Sequence, residues 1–192
     1  MIGDGFERVL ARAREGDELA WAALYDALAG QLLGYLRGRG APEPEDQLGE
    51  TFLQVARDLH TFTGDEVGFR SWVFTIAHRR MLDASRSRRR RPVQPLAPDE
   101  LAPVADAVRA DGAPTDDTLA ALADRELLSG LLAHLTEDQR EVLLLRYVVD
   151  LDTAAVGAVT GRSANAVAAL TRRALQELRR VVEAEDEGPP GA

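Results

Sequence analysis

The chain of 192 residues has no cysteine, which excludes disulfides, zinc–thiolate sites and thiol redox sensing. Lysine is absent too, and arginine supplies all 23 basic charges, a bias that GC-rich coding is enough to produce. No apolar run approaches the roughly 20 residues of a membrane span, so no membrane insertion is expected. The opening MIGDGFERVL lacks a basic start followed by an apolar run. No signal peptide is therefore expected, and the cytoplasm is the expected compartment. The three histidines, His60, His78 and His134, lie in separate contexts without ligand spacing. No Gly-rich phosphate loop or nucleophile motif is present. The expectation is a protein that is not an enzyme, with no catalytic residue, metal, cofactor or small-molecule substrate.

What is present is helical and unevenly charged. An apolar content of 45% is enough for real cores. The formal charge of −9 conceals a partition. Residues 1–92 and 121–180 are each neutral, residues 93–120 carry −5, and residues 181–192 carry −4. Within the first segment, residues 61–92 hold 8 arginines against 3 acids. An acidic total normally argues against nucleic-acid binding, but here the acid lies outside the segments that read as folded.

The expected fold is all-α: two small helical domains, 1–92 and 121–180, joined by a flexible acidic linker over 93–120 and followed by an acidic tail over 181–192. Apolar residues recur at helical spacing and no strand is evident. Asp17 is placed to cap a long helix that Gly38–Gly40 ends. Pro44 and its neighbouring acids suit a helix start. A helix beginning near Phe69 is expected to stop at Pro92. In the second domain Thr136 and Gln139 have capping-box spacing.

Two stretches point to nucleic acid. Between Thr153 and Arg172, Gly157 sits where two helices would cross closely and Gly161 where a turn needs positive φ. Val156, Val159, Val167 and Leu170 supply a shared core, and Ser163 is placed to cap the second helix. That is the spacing of a helix-turn-helix, whose second helix enters the major groove, although an ordinary helical hairpin shares much of it. Thr160 and Arg162 stand where apolar residues are usual. The other stretch, FRSWVFTIAHRRMLDASRSRRRR over 69–91, places aromatics ahead of a run of arginines. Stacking surfaces beside cations are what single-stranded DNA requires. Trp72 and Phe74 read equally as core.

Together these residues resemble the extracytoplasmic-function group of bacterial sigma factors, subunits of RNA polymerase. PEDQLGETFLQVARDL is similar to the family's core-docking stretch, FRSWVFTIAHRRMLDASRSRRRR to its downstream-element stretch, and LTEDQREVLLLRYVVDL to the segment leading into its upstream-element reader. The resemblance implies promoter recognition, DNA melting and transcription initiation, with partners in the β′ and β subunits of the polymerase core, promoter DNA and an anti-sigma protein. It assigns core docking to Asp46, Gln47, Glu50, Thr51, Phe52 and Gln54. It assigns the downstream element to Thr61, Phe62, Thr63, Trp72, His78, Arg79, Arg80, Asp83 and Arg86. The upstream element falls to Arg162, Ser163, Asn165, Ala166, Arg172 and Arg173. Gln47, Gly49, Ala56, His78, Arg79 and Ala168 depart from the residues usual at their positions. The resemblance also implies that the linker threads the polymerase RNA channel, where its net −5 suits a cationic tunnel. Its 28 residues relax to roughly 30 Å and extend to roughly 90 Å. The alternative is a stand-alone helix-turn-helix regulator, which has no need of the docking stretch.

Overall fold

The structure, a computed structural model, describes residues 2–90 and 127–186. The expected linker, Pro92 and the last six residues of the tail lie outside that range. Helix α1 spans Phe6–Arg14, α2 Glu18–Gly38, α3 Pro44–Asp58 and α4 Glu66–Arg90. In the second unit, α5 spans residues 127–133, α6 Glu137–Leu143, α7 Thr153–Thr160 and α8 Ala164–Asp186. No strand occurs among the described residues.

Local chemistry explains most of the helix starts. The Asp17 carboxylate accepts from the Ala20 amide at 3.0 Å, satisfying a donor the first turn cannot pair internally. Pro44 opens α3 with Glu45 and Asp46 in the first turn, where the helix dipole favours acids. Asp65 accepts from the Gly68 amide at 2.8 Å at the start of α4. Thr136 and Gln139 form the reciprocal capping box that their spacing predicts. The end of α8 differs from expectation: the helix continues to Asp186, past the boundary at 180. Val181 is buried there, so packing carries the helix onward.

In the first unit α1, α2, α3 and α4 enclose Phe6, Leu24, Leu32, Val55, Phe69, Val73 and Phe74. An aromatic cluster closes one end, with Phe62 edge-on to Phe69 at 5.3 Å and tilted against Trp72 at 5.2 Å, centroid to centroid. In the second unit Val142, Leu145, Val149, Leu151, Val156, Val159 and Val167 form the interior. After Leu143 the chain widens into a π-helical segment, Leu144–Val148. Asp150 then takes φ 59°, a left-handed turn that a short polar side chain tolerates.

The two units do not stand apart. Their buried residues form one continuous cluster, with α7 packed on α4 and the π-helical segment packed on α2. The reason is partly steric. A Cβ on Gly38 would lie 2.7 Å from Leu144 and one on Gly34 would lie 3.5 Å from Val148. At Gly38 the missing side chain lets the second unit approach α2 closely, while the distance at Gly34 is an ordinary contact.

Candidate nucleic-acid interface

The acidic start of α3 forms one wall of an open groove. Glu43, Asp46, Gln47, Glu50 and Leu53 face Arg80 and Asp83 of α4 across it. Burial divides the six residues expected to dock core. Asp46 and Glu50 are exposed, and Gln47 and Gln54 are half-buried. Thr51 and Phe52 are buried: the Thr51 hydroxyl donates to the Gln47 carbonyl at 2.7 Å, and the Phe52 ring lies 4.6 Å from that of Tyr25. Those two support the face rather than form it. Leu53, an apolar side chain left 53% exposed, belongs to the face and was not singled out from sequence. The Arg37 guanidinium beside Glu45 holds that carboxyl below its usual range. The groove's carboxylates outnumber its one arginine, Arg80, beside one apolar side chain, which suits a basic partner.

Along α4 the aromatic question resolves. Phe74 is fully buried, 5.5 Å from the Tyr35 ring, and belongs to the core. Trp72 is only half-buried in the second turn of the helix and packs on Phe62, whose chain neighbours Thr61 and Thr63 are exposed. Phe62 lies under that surface at 6% exposure. It buttresses Trp72 and offers no open ring face of its own. Arg79, Asp83 and Arg86 are exposed on the same helix. Arg80 donates to Glu50 at 2.8 Å, tying the α4 surface to the α3 groove.

His78 is placed differently from the other residues expected to meet the downstream element. It is 6% exposed, and its Nδ1 lies 2.7 Å from Glu141 Oε1 in the second unit. The same oxygen accepts from the Tyr35 hydroxyl at 3.2 Å and lies 3.5 Å from Arg39. Burial alone pushes the Glu141 carboxyl up. The His78 hydrogen bond and the Arg39 charge outweigh it and hold the group below its ordinary value. Burial, then the nearby Glu141 charge, push the Tyr35 phenol up. Sequence reasoning missed this cluster. Tyr35 and Glu141 are 106 residues apart, and no local pattern announces such a contact.

The helix-turn-helix is built as its glycines require. A Cβ on Gly157 would lie 2.7 Å from the Arg162 carbonyl oxygen, and Gly161 takes φ 70°. Ser163 accepts from the Ala166 amide at 3.2 Å. The two unusual positions have physical explanations. The Thr160 hydroxyl donates to the Val156 carbonyl at 2.8 Å, so it needs no outside partner. The Arg162 guanidinium turns to Asp138 at 2.7 Å, leaving only its stem at the turn. Ser163, Asn165, Arg172 and Arg173 are exposed along the start and middle of α8, and Ala166 is half-buried among them. No group of side chains suited to a metal ion occurs among the described residues.

Comparison with known proteins follows the same division. Residues 23–91 match the family model described as Sigma-70 region 2, and residues 125–178 match Sigma-70, region 4. The chain is 32% identical over 186 residues to ECF RNA polymerase sigma factor ShbA of Streptomyces griseus, covering 90% of this chain and 92% of ShbA. It is 30% identical over 176 residues to ECF RNA polymerase sigma factor BldN of Streptomyces coelicolor, covering 91% of this chain and 64% of BldN. The solved structure of CnrH in complex with the cytosolic domain of CnrY superposes with a TM-score of 0.65 at 23% identity. That match covers 94% of this chain and 99% of CnrH.

Proposed function

The chain belongs to the extracytoplasmic-function group of the sigma-70 family, and on that premise we propose a division of labour among its surfaces. The chain binds RNA polymerase core, engaging β′ and β, and directs it to promoters that it recognises and helps to melt. One observation carries this: a region 2 match and a region 4 match occur in that order along the chain, over residues 23–91 and 125–178. A stand-alone regulator has no use for the first.

Core docks on the exposed face of α3, through Asp46, Gln47, Glu50, Gln54 and Leu53. Trp72, Thr61 and Thr63 take an unstacked base of the downstream element, while Arg79, Arg80 and Arg86 attract phosphate. Thr51, Phe52 and Phe62 hold these faces from beneath. Ser163, Asn165 and Ala166 face bases of the upstream element, with Arg172 and Arg173 on its backbone. Arg162 positions the turn through Asp138. The factor acts without a catalytic residue or cofactor of its own, in the cytoplasm where polymerase and promoters meet. No described helix is long and apolar enough to cross a membrane. An anti-sigma protein is a further partner in this reading; the solved CnrH is itself in complex with the cytosolic domain of CnrY.

Pull-down with purified core tests the reading. Retention by core is the expected result. A protein that ignores core yet footprints duplex DNA alone would place it with the stand-alone regulators.

A further inference from the structure

Helix α1 packs on α2, but the long-range hydrogen bonds of residues 2–14 all reach one short stretch, the loop between α3 and α4 and the first turn of α4. The Arg14 guanidinium, at the end of α1, donates to the Leu59 carbonyl at 3.3 Å and to the Phe62 carbonyl. The Glu66 carboxylate accepts from the amides of Ile2 and Gly3 at 2.5 and 2.9 Å. Between these ties the Phe6 ring lies 5.6 Å from that of Phe69.

The loop has little else to hold it. Leu59–Thr61 form a single 3-10 turn, and Phe62 is extended at φ −69° and ψ 135°. Residues 62–65 belong to no helix. The Leu59 carbonyl also accepts from the Phe62 amide at 3.3 Å, so the turn and the guanidinium share one oxygen. Thr61 and Thr63 stand exposed on either side of Phe62, whose carbonyl Arg14 holds. A segment with so few internal bonds opens easily, and a loop that must be ordered on binding gives up affinity.

We propose that Arg14 is a positioning residue for base recognition: it fixes the loop that carries Thr61 and Thr63, and residues 2–6 with Glu66 complete the brace. Arg14 acts through the backbone of Leu59 and Phe62 and not by meeting the base. The proposal deepens the reading in which Thr61, Thr63 and Trp72 take an unstacked base, and it rests on that reading. A planar guanidinium holds two carbonyls in one fixed fork, whereas an ammonium is a point charge on a flexible stem. Position 14 therefore supplies geometry rather than charge.

The full chain with purified core is offered a randomised single-stranded DNA pool and a randomised duplex pool, and the retained molecules are sequenced. The wild type is expected to select a base preference from the single strands. Arg14→Met keeps an apolar stem and loses both donors. It is expected to weaken that preference about tenfold and to leave the motif retained from duplex unchanged. Arg14→Lys should weaken it likewise, and decides the matter if Arg14→Met does not fold. A wild-type preference in either variant would overturn the proposal, and in Arg14→Lys it would assign the effect to charge. Equal losses from both pools would also overturn it, as the mark of a general loss of fold. Hydrogen exchange of the free chain reads the brace without polymerase. Amides of residues 61–65 should exchange about tenfold faster in Arg14→Met, and unchanged exchange would overturn the brace. A wild-type complex with core that selects no motif from either pool would defeat the sigma-factor reading instead, and exchange would still decide the brace.

Discussion

Gly157 has no room for a side chain. A Cβ there meets backbone, the carbonyl oxygen of Arg162 at 2.7 Å, so the helices must part to admit one. Gly157→Val is expected to cost about 1–3 kcal/mol, read as a fall in the denaturant midpoint of the second unit's unfolding. An unchanged midpoint would show that the crossing is looser than this. Glu141 allows a prediction in pH. Its carboxyl is held below the ordinary 4.5 in the folded chain, so the stability it contributes is full above that value and lost as pH falls through the lower folded value. The stability gap between wild type and Glu141→Gln should therefore close on acidification below pH 4.5 and stay constant above neutrality; a gap indifferent to acid would contradict the assignment. Legibility at this scale was mixed. Gly157, Gly161 and Ser163 were readable because each obeys a local steric or capping rule. His78 was not, because its partner lies 63 residues away.

Elements follow the sequence where caps and punctuation act locally. Asp17, Pro44 and the Thr136–Gln139 box mark their helix starts directly. Thr136→Ala should cost about 1 kcal/mol, seen as a lower thermal midpoint with unchanged helix content in the native state. The π-helical segment at Leu144–Val148 was not legible, since a bond to the fifth residue leaves no periodic mark distinct from an α-helix over so few residues. The face of α3 was legible in part. The acids stand out in the sequence, but only packing tells that Thr51 and Phe52 point inward while Leu53 points out. Leu53→Asp is expected to weaken core binding at least about tenfold with little loss of stability, measured by titrating labelled protein with core. Equal affinity would remove α3 from the docking surface.

At the scale of the whole molecule, the sequence shows two helical units and the location of their charge, but not how the units meet. The docking rests on contacts across long separations, with Gly38 in α2 as a trace in the primary structure. Charge partition has a functional consequence of its own. The two units 1–92 and 121–180 are each neutral, so the free protein lacks the net cation that drives nonspecific DNA affinity. Promoter occupancy should then depend on core rather than accompany the protein alone. The most direct measurement is to map the 5′ ends of transcripts made on genomic DNA by purified core with and without this protein. Discrete start sites that appear only when the protein is added, each preceded by a shared pair of sequence elements, are the expected result. Identical transcripts in both reactions, beside a protein footprint that needs no core, would contradict the assignment.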